Sequence, residues 1–221
     1  MSPLRHHNGM NLLELFFREP LIFLVIILVF LVALSVHEAS HALAAYWLGD
    51  MTAKRANRLT LNPMAHIDWL GFLVLVTIGF GWGRPVPFNP YNLKYPRWGP
   101  ALIAAAGPAS NFLLGIVFAL MYQIVTPGLG QQNLLVFFLQ YGAYLSFLLG
   151  LFNLIPIPPL DGSKALLAAL AHEKYRHIRF FIETRGTFLL LALIVLDSLF
   201  GVGIFRGLAS LANAFFHLLT F

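Results

Sequence analysis

The sequence predicts an all-α polytopic membrane protein with about four transmembrane helices and a short membrane-associated β or re-entrant segment between the first and the second. Of its 221 residues, 59% are hydrophobic and 10% are charged, and the mean hydropathy is +0.78. An average soluble domain is about 45–50% apolar and about 25% charged. A soluble core of this size cannot hide the excess, because a surface in water needs polar cover. We expect residues 1–221 to form a single membrane-embedded domain, with a core at about 20–165 and C-terminal helices at about 163–221.

The first predicted span covers residues 21–48, which are apolar apart from a few polar residues near its middle. It is longer than the roughly 20 residues that cross a bilayer, so we expect it to tilt or to project at one end. We do not interpret it as a cleaved signal peptide, because its apolar part is too long and it contains the chemically active residues described below.

Three further spans are predicted at residues 101–125, 134–154 and 187–205. The second carries no charge, and the third ends in the proline-rich segment Asn153-Leu-Ile-Pro-Ile-Pro-Pro-Leu-Asp161-Gly162. The fourth is weaker and carries Asp197. Residues 207–221 have the pattern of an amphipathic interfacial helix.

Residues 70–82 form an apolar run that is too short to cross the membrane and is followed by several glycines and prolines. Residues 74–78 are rich in Val and Ile, so we expect a short strand or hairpin that dips into the membrane. Such backbone survives at that depth only against protein or a wet cavity, which makes the segment a candidate cavity wall. This strand and the glycine- and proline-rich segment after it are also a candidate for pairing with an unwound substrate.

The basic residues indicate how the spans are oriented. With four spans, the segments after the first and the third lie on the same side of the membrane and carry most of the Lys and Arg residues. The other side carries Arg5, Arg18 and Arg206. The positive-inside rule then places the basic segments in the cytoplasm and the N-terminus outside, in a multi-pass protein of the cell (inner) membrane. The net charge of +5 is explained by this topology rather than by nucleic-acid binding, because the basic residues form no single patch.

The first span contains the motif His37-Glu38-Ala39-Ser40-His41. Residues i and i+4 share one face of a helix, so both imidazoles reach one metal ion while Glu38 lies beside it. Because the chain has no cysteine, histidine and carboxylate are the natural ligands. The alternative is a structural polar cluster that pairs with other helices. Ionisable residues within a span are costly and usually functional, which favours the metal site.

A catalytic zinc ion usually has three protein ligands and an open position for water. Asp161 is the best candidate for the third ligand, because it follows a span broken by prolines and precedes Gly162, which permits close approach. The alternative is that Asp161 only caps a helix that begins near Ser163. The other candidates for the third ligand are His66, Asp68, His172, Glu173 and Asp197.

Three ordered motifs resemble those of a known family. They are the motif from His37 to His41, Gly107-Pro-Ala-Ser-Asn111, and the segment from Asn153 to Gly162. Together they resemble the site-2 protease family of intramembrane zinc metalloproteases (peptidase M50) over about residues 20–165. Residues 58–68 and 83–92 are similar to linker motifs of the compact prokaryotic branch of that family, which has no PDZ or CBS domain.

The resemblance implies a function and a set of site residues. It implies one Zn²⁺ per chain, held by His37, His41 and Asp161, with Glu38 as the catalytic base that activates water. It implies that Asn111 contacts the substrate and that the enzyme hydrolyses peptide bonds in or near transmembrane segments of membrane proteins. The alternative for Asn111, from the residue type alone, is a hydrogen bond between helices, the commoner role of an Asn within a span. Two positions depart from the family pattern, Ser40 and Ser163, where small residues or glycine are usual. They bear on rate or substrate fit rather than on identity.

Two other functions are weighed against an intramembrane endopeptidase. A divalent-metal transporter or channel needs ligands along a path and usually repeat symmetry, which this sequence lacks. An inactive membrane scaffold does not need Glu38. We expect membrane-protein substrates and the lipid bilayer as partners, no nucleic acid, and an oligomeric state compatible with a homo-oligomer. The sequence leaves open the substrate and the roles of His66, Asn153 and Asp197.

Overall fold

The computed structural model describes residues 12–220, and these residues are largely helical. Short 3₁₀ turns lie at Pro63–Ala65, Pro90–Asn92 and Glu173–Tyr175. The peptide bond between Pro158 and Pro159 is cis. The helices in chain order are α1 (Leu12–Arg18), α2 (Pro20–Trp47), α3 (Thr52–Arg55), α4 (Trp69–Ile78), α5 (Gly99–Leu129), α6 (Leu134–Asn153), α7 (Gly162–Ala169), α8 (Arg176–Phe200) and α9 (Ile204–Thr220).

Helices α2, α5 and α6 pack against one another as a three-helix core. Among the described residues, these are the three single helices that are long and apolar enough to cross a membrane. Many of their large apolar side chains are exposed, such as Ile124 at 77%, as expected where lipid rather than water surrounds the bundle. The protein is therefore a multi-pass membrane protein, and residues 12–220 contain three candidate spans, or four if α8 and α9 together count as one.

The predicted fourth span is divided between two helices. Helix α8 ends at Phe200, Gly201 has a left-handed backbone with φ 62°, and α9 begins at Ile204 after a bend of 90°. The carboxylate of Asp197 accepts hydrogen bonds from the backbone N–H groups of Ile204 and Phe205, at 2.7 and 3.4 Å, and so caps the start of α9.

Helix α9 packs against α5 and α6 rather than lying free at the membrane interface as its pattern suggested. Its buried residues Ala212 and Phe216 belong to a hydrophobic cluster with side chains of the two spans. Those side chains are Phe118, Ala119, Tyr122, Val136, Leu139, Ala143 and Phe147. Edge-to-face stacking of Phe216 on Tyr122 is one such contact, with ring centroids 5.1 Å apart. The apolar face of α9 is therefore covered by protein.

The expectation of a strand at residues 74–78 is wrong, because these residues belong to helix α4. The Asp68 side chain accepts a hydrogen bond from Gly71 N–H at the start of this helix, and Gly79, with φ 85°, ends it. In an apolar environment, a helix satisfies its own backbone groups, which outweighs the β-propensity of Val and Ile. Within residues 12–220, strand pairing is limited to an isolated bridge between Ile67 and Gly83. Residues 74–78 therefore offer no strand for the substrate pairing that was expected of them.

Candidate metal centre

The motif residues lie in the C-terminal half of α2, where the 3.6-residue period places His37 and His41 on one face. All three motif side chains are buried: His37 is 4%, Glu38 8% and His41 7% exposed. The two Nε2 atoms are 3.0 Å apart, and the imidazole planes are nearly perpendicular, at 89°. The histidine rings thus point their Nε2 atoms at a common place within the helix bundle.

Asp161 reaches this place from the other side, between α6 and α7. Its Oδ2 lies 3.1 Å from His37 Nε2 and 3.2 Å from His41 Nε2. Asp161 precedes the first residue of α7, but its side chain forms no capping hydrogen bond. Its carboxylate is therefore directed at the histidines instead. The next residue, Gly162, lies so close to the Leu154 carbonyl that a Cβ there would clash, which fixes the turn that presents Asp161.

The three atoms form a triangle that fits a small metal ion. Its edges are 3.0, 3.1 and 3.2 Å. Ligand atoms about 2.0 Å from a tetrahedral zinc ion would be about 3.3 Å apart, close to these values. Asp161 Oδ2 is buried and has no hydrogen bond, although two nitrogen atoms lie within contact distance. Within residues 12–220, His37, His41 and Asp161 are the single group of three or more such side chains that could hold an ion.

Glu38 directly follows His37 in the sequence. Its carboxylate interacts electrostatically with His41 and with Arg58. Arg58 is 5% exposed and lies in the loop after α3, where its guanidinium donates hydrogen bonds to the carbonyls of Arg84 and Pro85. Burial lowers the pKa of Arg58, and the Glu38 carboxylate acts in the opposite direction. Arg58 therefore joins two loops and places a positive charge near the carboxylate of the motif.

Helix α5 contacts both imidazole rings at their Nδ1 atoms, away from the Nε2 atoms that face Asp161. His41 Nδ1 donates a hydrogen bond to the Ile103 carbonyl at 2.8 Å, and the Asn111 side-chain amide lies 3.0 Å from His37 Nδ1. Asn111 is completely buried. The substrate contact expected for Asn111 stays a prediction, whereas its contact with a histidine of the motif is part of the structure.

The remaining candidates for a third ligand lie apart from the triangle. Asp68 and Asp197 cap helices, and His172 Nδ1 accepts a hydrogen bond from Lys174 N–H in an exposed turn. His66 is completely buried in the loop after α3, where its Nε2 donates to the Thr60 carbonyl at 2.8 Å. Asn153 donates a hydrogen bond to the Leu149 carbonyl at 3.0 Å at the end of α6.

The sequence did not single out two contributors to the site. The Ile103 carbonyl belongs to an ordinary apolar residue, and no sequence signal marks a backbone group as a histidine partner. Arg58 was noted only as one of the basic residues that orient the spans and as the first residue of a linker motif, and its burial depends on loops that meet in the folded chain. For Asn111, the sequence did offer a signal. Asn111 follows Gly107 by four residues on an apolar helix, so the two residues share one face, and in the structure this face contacts the motif histidines.

Known proteins with related sequences point to one family. The family model described as peptidase family M50 matches residues 123–196. The chain is 38% identical over 148 residues to “Putative zinc metalloprotease YwhC” of Bacillus subtilis, covering 64% of this chain and 67% of that protein. It is 31% identical over 164 residues to “Putative zinc metalloprotease Rip2” of Mycolicibacterium smegmatis, covering 70% of this chain and 61% of that protein.

A zinc metalloprotease of Methanocaldococcus jannaschii is 35% identical over 86 residues, which is 39% of this chain and 24% of that protein. No solved structure matches the chain. The chain therefore spans about two thirds, or less, of each of these relatives. With the match to the family model and the similarity to the Bacillus protein, the chain belongs to peptidase family M50, the site-2 protease family of zinc metallopeptidases.

Proposed function

We propose that this protein is an intramembrane endopeptidase that hydrolyses peptide bonds in or near transmembrane segments of membrane-protein substrates. The observation that carries the proposal is the buried triangle of His37 Nε2, His41 Nε2 and Asp161 Oδ2 beside Glu38. We assign these three residues as the ligands of the zinc ion. Bound zinc supplies Lewis-acid polarisation of the scissile carbonyl and activation of water.

Glu38 is the general base of the proposed reaction. It accepts a proton from the attacking water at its carboxylate and passes that proton to the leaving amide nitrogen. Glu38 is buried in the bundle, and its carboxylate interacts electrostatically with Arg58 in the loop after α3. This position keeps the carboxylate away from bulk water but next to the motif histidines. Metal binding alone does not require this residue, so its presence supports catalysis over a scaffold role.

The position of the site supports a substrate that enters from the membrane. His37 and His41 lie about 15 and 9 Å from the end of α2 at Trp47, at 1.5 Å per residue. We place this end of the bundle on the cytoplasmic side, because the basic segments that follow α2 and α6 begin there, and the start of α2 on the outer side. The apolar surfaces that surround the bundle are suited to a helical substrate that approaches through lipid. The proposed localisation is the cell (inner) membrane.

A divalent-metal transporter or channel is less well supported. Transport needs several ligand sets along a path through the membrane. Among the residues that the structure describes, such side chains gather at one place only. Neither this alternative nor an inactive scaffold has an observation that favours it.

The first experiment measures zinc per chain in the detergent-purified protein, with Asp161→Ala and Glu38→Gln as variants. We expect about one zinc per chain in the wild type and in Glu38→Gln, and loss of zinc in Asp161→Ala, because the metal needs three protein ligands. Cleavage is then measured by co-expression with tagged single-pass membrane segments that contain helix-destabilising residues. Glu38→Gln is expected to lower the rate by about 10²–10⁴-fold, the usual contribution of a general base.

Two outcomes would contradict the proposal. A folded wild type that takes up no zinc from zinc-supplemented buffer would remove the metal site. Cleavage by Glu38→Gln at the wild-type rate would remove the proposed base. The Glu38→Gln variant keeps the size of the side chain, so a change in rate cannot come from lost packing.

A further inference from the structure

One face of α5 lies against both histidines of the motif. Residues 103, 107 and 111 are spaced by four and therefore share this face. The Ile103 carbonyl is hydrogen-bonded to His41 Nδ1, and the Asn111 amide lies against His37 Nδ1. Helix α5 therefore contacts each ring at its Nδ1 atom, and both Nε2 atoms face Asp161.

We propose that Asn111 is a positioning residue for His37, whose side-chain oxygen accepts a hydrogen bond from Nδ1–H of that ring. This inference rests on the proposed metal site. It makes Asn111 the side-chain counterpart of the Ile103 carbonyl, which already holds His41 in this way. The role differs from the substrate contact that the family resemblance implies for this residue.

The direction of the hydrogen bond follows from the chemistry of imidazole. A neutral imidazole whose Nε2 offers a lone pair to a metal carries its proton on Nδ1 and needs an acceptor there. In the structure, the Asn111 Nδ2 atom is the one 3.0 Å from His37 Nδ1, and Asn111 Oδ1 is buried without a hydrogen bond. A half-turn of the amide exchanges these two atoms. That turn places Oδ1 against the ring, which is the arrangement that metal binding through Nε2 demands.

Burial makes this contact strong and exclusive. Asn111 has no exposed surface, so water cannot replace its oxygen as the acceptor for His37. A hydrophobic side chain of similar size at this position would leave Nδ1–H buried and unpaired when Nε2 binds a metal. Outer partners of zinc-bound histidines typically contribute about 10–100-fold to metal affinity.

The test compares zinc affinity in the full-length, detergent-purified chain by competition with a chromophoric chelator. Asn111→Leu removes the acceptor and is expected to weaken zinc binding by about 10–100-fold. Asn111→Asp keeps an acceptor at the same place, and carboxylates are frequent partners of zinc-bound histidines, so it is expected to retain most of the affinity. Should Asn111→Leu fail to fold, Asn111→Ala removes the same acceptor without adding bulk.

A matched control is available on the neighbouring helix. Ser146 of α6 is also completely buried, and its hydroxyl has no hydrogen-bond partner. Ser146→Ala therefore removes a buried polar group that makes no hydrogen bond to either histidine, and we expect unchanged zinc affinity.

A spectroscopic readout separates positioning from general packing. In zinc-loaded protein with ¹⁵N-labelled histidine, the ring N–H resonance of His37 is expected to shift and to exchange faster with solvent in Asn111→Leu. The ring N–H of His41 is expected to stay in place, because its acceptor is the Ile103 carbonyl. His41 is thus an internal control within the same spectrum.

The outcomes are distinguishable. If the wild type binds no zinc, the proposed metal site itself fails. If the wild type binds zinc and Asn111→Leu binds it equally well, the site stands and the positioning role is wrong. Equal weakening in Asn111→Leu and Asn111→Asp would also overturn it, because the effect would then come from packing and not from the acceptor.

Discussion

Gly107 is the residue of α5 that faces the edges of both motif rings. A Cβ at this position would lie 2.5 Å from His41 Cε1 and Nε2 and 2.6 Å from His37 Cε1. Such distances are far below van der Waals contact, so a side chain here would displace the rings. The absent Cβ therefore sets how close α5 comes to the motif, and with it the positions of the two Nε2 atoms.

We predict that Gly107→Ala lowers the thermal unfolding midpoint and removes most of the bound zinc. Overpacking of this kind typically costs about 1–3 kcal/mol, and here the displaced atoms are the proposed ligands. Gly128→Ala in the same helix is the control, because a Cβ there meets nothing within 4 Å. Its midpoint should be unchanged or slightly higher, since Ala is the better helix residue. Full zinc binding by Gly107→Ala would show that the rings have more freedom than these distances allow.

That His37 and His41 lie side by side, with Glu38 next to His37, could be predicted from the sequence because their relation is local. A spacing of four residues places two side chains on one helix face whatever the rest of the fold does. Asp161 was harder, since its position after a proline-broken span favoured a ligand but left a helix cap as the alternative, and the family motif strengthened the ligand. The Ile103 carbonyl could not be found at all, because hydrogen bonding by a backbone group carries no signature in the residue type.

At the scale of the elements, Asp50 connects the end of α2 to a distant part of the following segment. Its Oδ1 accepts hydrogen bonds from Thr52 N–H, Thr52 Oγ1 and Asn92 Nδ2, and its Oδ2 accepts one from Asn89 N–H at 2.7 Å. Asp50 is completely buried. Burial raises the pKa of this carboxyl, but the hydrogen bonds outweigh burial, so the net effect is a pKa below the ordinary value of 3.8.

We predict that Asp50→Asn destabilises the fold by about 1–3 kcal/mol at neutral pH. With the new amide oxygen in the place of Oδ1, the NH₂ group would stand where Oδ2 accepts a hydrogen bond from Asn89 N–H, so two donors would face each other. The pKa of Asp50 is lower in the folded state than in the unfolded state. Its stabilising contribution is therefore complete above pH 3.8 and is lost as the pH falls through the folded-state pKa. Unfolding midpoints of the wild type and the variant, measured in detergent from pH 7 downwards, should thus converge in acid.

Glu173→Gln is the control for this comparison, because the Glu173 side chain is 81% exposed and its ion pair with Arg176 lies at the surface. We expect its midpoint to follow the wild type at every pH. A constant gap between the wild type and Asp50→Asn down to the lowest pH would mean that the charge of Asp50 does not contribute.

The elements themselves differ in how far the sequence specified them. Long uncharged runs predicted α2, α5 and α6 because only helices can cross lipid with their backbone groups satisfied. The short run that became α4 was ambiguous, since four to eight Val- and Ile-rich residues fit a strand or a buried helix equally well. In the structure, Asp68 caps the start of this helix, a signal that the Val- and Ile-rich composition concealed. The 90° bend before α9 was not predicted, because it depends on Gly201 and on a cap by Asp197 from the preceding helix.

At the scale of the whole molecule, the proposed metal centre lies toward one end of the bundle. The three core helices alternate in direction, so the end of α2, the start of α5 and the end of α6 share one side of the membrane. Gly107 and Asn111 lie about 12 and 18 Å from the start of α5, at 1.5 Å per residue, close to the depths of His41 and His37 in α2. The basic segments that follow α2 and α6 begin at this same end. The positive-inside rule therefore predicts that the centre opens toward the cytoplasm.

Cysteine labelling tests this orientation, because the chain has no cysteine of its own. Ala56→Cys reports the basic end and Gln132→Cys the opposite end, and both positions are exposed and uncharged, so neither change alters the charge balance. In spheroplasts of a bacterial host, a membrane-impermeant maleimide should label Gln132→Cys directly and Ala56→Cys only after lysis. The cysteine-free wild type gives the background. The reverse pattern would place the metal centre near the outer surface, and the proposed approach of substrates to a cytoplasmic-side site would be wrong.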